Sequence, residues 1–424
     1  MTTVGIAFIN LHKQNDHLTF KTVATNLQNY WYQVGNYDSA FDVLNACNNF
    51  LTLRGYYADQ VELYGQLVSK WKEIGARENW NYCAALTSLG NAYLYQGQYQ
   101  RAIEFYQQSL YIATEIGDRN SEGKSLANLG NAYLSQGQYE RAIEFLQQSL
   151  YIATEIGDRN SEGLSLMNLG LAYNYLGQYE RAIEFLQQSL YIATEISDRN
   201  FEGKSLMNLG NAYLSLGQYQ WAIEFYQQSL EIATEIGDRN SEGKSLNNLG
   251  NAYNSLGQYQ RGIEFLQQSL EISREIGDRN GKGNSLIGLG NVYYSLGQYQ
   301  RGIEFHQQSL EISREIGDRN GEGISLGNLG NVYYSLGQYQ RGIEFHQQSL
   351  EISREIGDRN GEGASLIGLG NVYYSLGQYQ RAIELLQESL EITRDRHRRS
   401  QWRRYFLGQF GQCLQLAGTV PTGD

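Results

Sequence analysis

Apolar residues recur at three- and four-residue intervals along most of the chain, as in Leu126, Leu129 and Tyr133 and then Ala142 and Leu146. That spacing places them on one face of a helix and argues against strand. Between Gly137 and Leu176 it predicts two helices: Tyr139 to about Ile156, then about Ser161 to Leu176, separated by Gly157-Asp158-Arg159-Asn160. Gly137 suits the position just past a helix end, where φ must be positive. The Gly-Asp pair ends the other helix and offers Asp and Asn as caps for the next.

The same pattern returns at a fixed interval. Gly-Gln-Tyr begins at 97, 137, 177, 217, 257, 297, 337 and 377, each 40 residues after the last. One helix pair of this size cannot bury its apolar faces, so neighbouring copies must stack. The expected fold is all-α, a right-handed α-solenoid and not a set of separate globular domains. With a shift of 42, Gly55-Tyr56-Tyr57 aligns with Gly97-Gln98-Tyr99, Asn49 with Asn91, and Ile74-Gly75 with Ile116-Gly117. We therefore read 1–78 as degenerate N-terminal repeats, 79–396 as the regular array, and 397–424 as a capping helix and tail.

Leu126-x-x-Leu129-Gly130-x-x-Tyr133, with Ala142, Leu146 and Ser149 after it, resembles the tetratricopeptide repeat, although the loop proline of that family is missing from every copy. The 40-residue period looks most like the long-helix variety found in G-protein-signalling modulators of the LGN/Pins type and in bacterial multi-repeat proteins. The resemblance spans roughly residues 83 to 393. It implies a protein-binding scaffold whose first helices line a concave groove that holds an extended peptide. The LGN/Pins proteins act on Gα through short motifs after the repeats. No such motif follows the array here, so G-protein regulation is not expected.

Composition narrows the reading. A net charge of −12 repels nucleic acid and anionic membrane as a whole, leaving a local basic patch as the only route to either. Cys47, Cys83 and Cys413 are few and far apart, which argues against a disulfide framework and for a reducing compartment. Val4 to Ile9 is too short for a signal segment, and no run of about 20 apolar residues occurs. A cytoplasmic protein without a membrane partner is expected.

Catalytic motifs have weak counterparts. His306 and His346 occupy a position held by Leu146 and Leu266 in other copies, which points to packing. Gly281-Lys282-Gly283 lacks the spacing and the following Ser or Thr of a phosphate loop, and Gly288-Leu289-Gly290 lies within a helix. No cofactor, metal or enzymatic activity is expected. One charge run, Arg394 to Arg404, includes six arginines and Trp402. It reads as a cap paired with the acidic array; the alternative is an anion or nucleic-acid contact.

Near-identical copies differ in an informative place. Comparing 97–136 with 137–176, 257–296 with 297–336, and 297–336 with 337–376 gives sixteen differences. Numbered from the Asn of each Gly-Asn pair, eleven of them fall at offsets −7, −4, −3, 0, +3 and +4. Those offsets occupy roughly 120° of one helix face, opposite the unchanging Leu at −5, Leu at −2 and Tyr at +2. On the second helix, Glu104, Gln107, Gln108, Glu115 and their equivalents stay constant through the compared copies.

The stripe carries Lys124, Lys204 and Lys244 at −7, Met167 and Met207 at −4, and Tyr294, Tyr334 and Tyr374 at +3. Offset 0 is Asn91, Asn131, Asn211, Asn251, Asn291, Asn331 and Asn371, with Leu171 the exception. A ladder of primary amides can donate to and accept from the backbone of a strand laid across the helices, whatever its sequence. The stripe is the expected binding groove for an extended peptide or disordered partner segment. A sensor module acting through self-association, or through a separate effector, is the alternative.

Overall fold

The computed structural model describes residues 17–53, 56–75 and 79–394. The Arg-rich run beyond Arg394, the predicted capping helix and Val4 to Ile9 lie outside them. Among the described residues there are nineteen α-helices, no strand, and no helix long and apolar enough to cross a membrane. Within each of two compact units successive helices pack against each other and the pairs stack, the pattern of an all-α solenoid. Two compact units divide the chain, residues 1–168 and 169–424, and the boundary falls inside the helix Arg159–Tyr175.

The first unit opens with His17–Gln33, Tyr37–Leu53 and Tyr57–Glu73, whose core is built on Phe41, Leu44, Tyr64, Leu67 and Trp71. Regular pairs follow: Trp80–Tyr95 with Tyr99–Glu115, then Arg119–Ser135 with Tyr139–Ile156. In the second unit the complete pairs begin Arg199–Ser215 with Tyr219–Glu235. They continue through Arg239–Ser255, Arg279–Ser295, Arg319–Ser335 and Arg359–Ser375, each followed by its second helix.

Each pair closes for the same local reasons. At the end of the first helix the chain turns through a left-handed glycine: Gly137 has φ 74°, its N–H reaches the Leu134 carbonyl, and the Gln138 N–H reaches that of Tyr133. This pairing satisfies carbonyls that a helix end otherwise leaves open. The expected helix start at Ser161 is corrected by two residues, because the helix begins at Arg159. Asp158 is the cap, accepting the Ser161 N–H at 3.1 Å and the Ser161 hydroxyl at 2.6 Å, so Arg159 and Asn160 already belong to the first turn.

The Leu-Gly pair of the motif sets how closely the helices cross. Leu126 and Leu129 are buried, and a Cβ on Gly130 would stand 2.5 Å from Leu146 Cγ, so only glycine lets the second helix lie this near. Tyr133 stacks on Phe145 at 5.3 Å, with Arg141 over its other face. Ser149 donates to the Gly123 carbonyl and meets Ser165 of the following helix at 3.0 Å, which ties one repeat to the next. The second unit repeats this link with Ser269 and Ser285 at 2.8 Å.

Candidate amide-lined groove

The fixed and variable faces of the first helix separate in space as their spacing predicts. In Arg239–Ser255 the packing residues Leu246, Leu249 and Tyr253 are buried, whereas Lys244 is exposed and Asn247, Asn248 and Asn251 are half-buried. Successive first helices bring their variable faces together in a cavity of about 370 Å³. It is lined by Asn247, Asn251, Asn254 and Ser255, then by Asn284, Ile287, Gly288 and Asn291, and on its far side by Ile324. Each of these residues sits at one of the six variable offsets.

Its chemistry is amide and aliphatic. The Oδ1 atoms of Asn247 and Asn254 are shielded from solvent with no hydrogen-bond partner. Gly288 makes the room: a Cβ there would stand 2.5 Å from Leu266 Cδ2 and 3.1 Å from Asn251 Oδ1. No aspartate or glutamate occupies any of the six offsets in the eight regular copies, although the chain is strongly acidic.

The asparagine ladder is less exposed than its offset suggested. Only Asn331 is exposed; Asn91, Asn131, Asn211, Asn251, Asn291 and Asn371 are half-buried. Two members already have partners. Asn91 accepts the Tyr106 hydroxyl at 2.6 Å and Asn211 accepts that of Tyr226 at 2.7 Å. Both tyrosines are fully buried, so these amides serve the scaffold. The signal was present in the sequence: Tyr106 and Tyr226 replace the Leu found at 146 and 266.

Lys124, Lys204 and Lys244 are exposed at the N-terminal rim. Burial works against the charge of Asp238. Hydrogen bonds from the Ser241 hydroxyl and N–H and the Asn240 N–H, with Lys204 nearby, outweigh it and hold the carboxyl below its usual range. Met167 and Met207 are half-buried, and Met207 packs on the core around Tyr226 and Leu249. The tyrosines at +3 are tied down as well. The hydroxyls of Tyr294 and Tyr334 meet Ser335 and Ser375 of the next first helix at 3.0 and 3.1 Å, and Tyr374 packs on Tyr379. They brace the floor of the stripe.

His306 and His346 lie in the core on the backbones of Gly290 and Gly330, 1% and 2% exposed, where other repeats have leucine. Neither ring nitrogen of either has a partner, and burial pushes both pKa values down to about 4. Among the described residues no three His, Cys, Asp or Glu side chains converge as a metal site. Cys47 and Cys83 are free and buried, and burial raises the Cys47 thiol to about 12.

A stack of paired helices closed by Leu-Gly crossings, with one varying face on each first helix, defines a helical-repeat protein. The Tetratricopeptide repeat family model matches residues 81–155, 162–235, 241–315 and 321–395, and the chain belongs to that family. A search of curated proteins finds no match. Among solved structures, the apo quorum sensor NprR from B. thuringiensis is similar at 15% identity, covering 81% of this chain and 99% of its own, with a TM-score of 0.54. A Rap protein complexed with Competence and Sporulation Factor is similar at 13% identity, covering 80% and 99%, with a TM-score of 0.51. Apo RapI follows at 20% identity, covering 64% and 96%, with a TM-score of 0.52. At these identities the likeness concerns the fold.

Proposed function

We propose that the concave face of the second unit binds an extended segment of a protein partner, making the chain an interaction scaffold. The observation that carries this is the coincidence of the varying positions with the lining of one cavity, to which Asn247, Asn251, Asn284 and Asn291 bring amides. An extended backbone supplies an N–H and a C=O at every residue, which is what a row of amides can pair with. Ile287 and Ile324 add apolar contact that a side chain of the partner can cover. Because the cavity offers amides and aliphatic surface, recognition and not bond-making is the chemistry it supports.

The test begins by panning a display library of linear peptides against the full chain. Retained peptides should slow backbone hydrogen exchange in Arg239–Ser255, Arg279–Ser295 and Arg319–Ser335. Protection confined to the second helices, or a library that yields no groove-dependent binder, would refute the assignment.

A further inference from the structure

The stripe is not uniform along the second unit, and its variation specifies what kind of segment it accepts. At offset −7 successive first helices carry Lys204, Lys244, Asn284, Ile324 and Ala364. One end of the groove is therefore cationic, the middle neutral, and the far side aliphatic. Lys244 is exposed and makes no ion pair within 4 Å among the described residues. Asn284 and Asn291 then line the cavity with Asn247 and Asn251, and Ile287 and Ile324 close it. With carboxylates absent from the six offsets of the regular copies, a ligand carboxylate meets no like charge from the stripe residues themselves.

Resting on the groove reading above, we propose that the partner segment is acidic where it passes Lys244, uncharged across the amide cavity, and aliphatic or aromatic where it reaches Ile324. The spacing follows from the geometry of packed helices. Lys244 and Ile324 stand at the same offset two repeats apart, and neighbouring helix axes lie about 8–10 Å from each other, placing the two sites about 16–20 Å apart. An extended chain advances about 3.3 Å per residue, so the acidic and apolar residues of the ligand are separated by about five or six positions. The residues between them are small or amide-bearing, because the cavity wall is amide and aliphatic and has no group to neutralise a charge.

The same panned library tests this, read as positional enrichment over several hundred retained sequences. Asp or Glu should be enriched five or six positions from Leu, Ile or Phe, with Lys and Arg depleted between them. Lys244→Glu should reverse the preference at the acidic position and weaken the wild-type consensus peptide at least tenfold. Ile324→Asp should erase the apolar preference and leave the acidic one. Both changes are on an exposed surface, and unchanged circular dichroism and melting confirm that folding is intact. Peptides that protect the groove but show no acidic-to-apolar spacing overturn this inference and leave the groove reading standing. Peptides that bind without protecting the first helices overturn the groove reading itself.

Discussion

Replacing His306 and His346 together by leucine isolates the effect of two buried imidazoles. Both sites have native precedents for the change. Leu146 is followed in the next repeat by Asn168 as His306 is by Asn328, and Leu266 by Gly288 as His346 is by Gly368. In the wild type each neutral ring buries one donor and one acceptor without partners, a cost of about 1–3 kcal/mol per ring, so the double variant should be more stable at pH 7. The gap should also depend on pH. Burial holds both folded-state values near 4, well below the ordinary 6.5, so protons bind the unfolded chain first. Stability from these rings is complete above pH 6.5 and is lost as pH falls toward 4, at about 1.4 kcal/mol per pH unit per ring. Over that window the loss approaches roughly 3 kcal/mol per ring. Urea unfolding of both proteins at pH 7.5, 6.5, 5.5 and 4.5 gives the difference directly, since the carboxylates are common to both and cancel. A gap that stays flat from pH 7.5 to 4.5 would show that the rings are solvated or paired and would refute the reasoning.

Ser197 takes a left-handed conformation, φ 57°, where the equivalent residues are Gly157 and Gly237. Ser197→Gly should therefore raise stability by up to about 1 kcal/mol, seen as a higher melting temperature, and Gly237→Ser should lower it. Asn211→Ala should destabilise by about 1–3 kcal/mol, because it strands the buried Tyr226 hydroxyl. Asn291→Ala should change urea unfolding by less than about 0.5 kcal/mol, since that amide faces the cavity.

How much of this is visible in the sequence depends on the length scale of the cause. Helix pairing and repeat boundaries were legible because each rests on local chemistry: a left-handed glycine, an Asp cap, a Leu-Gly crossing. The helix expected from Ser161 to Leu176 runs from Arg159 to Tyr175, because the residues after the Asp158 cap belong to the first turn and the chain leaves the helix one residue earlier. The varying face was legible through the offsets at which copies differ, and the cavity lies on it. What the pattern did not reveal was the fate of individual side chains on it. Whether Asn211 faces a ligand or Tyr226 depends on a residue fifteen positions away on another helix. Likewise Tyr294 is held by Ser335 across a repeat boundary, a contact that no single helix wheel displays. The burial of both histidines followed from their alternation with leucine, but the absence of any partner for their nitrogens needed the packed neighbours.

On the groove reading, the amides of the second unit hold a partner backbone. Asn251, Asn291 and Asn331 changed together to Ala test it most directly, measured by calorimetric titration of a panned peptide into the variant and the wild type. Each lost amide removes a hydrogen bond of about 1 kcal/mol, so the triple variant should bind at least about tenfold more weakly. Its melting temperature should stay close to that of the wild type. A control carrying Gln307→Ala, Gln308→Ala and Gln347→Ala, on exposed second-helix positions, should bind as the wild type does. Equal affinity in the Asn variant, the control and the wild type would contradict the account and would make the varying face a record of drift.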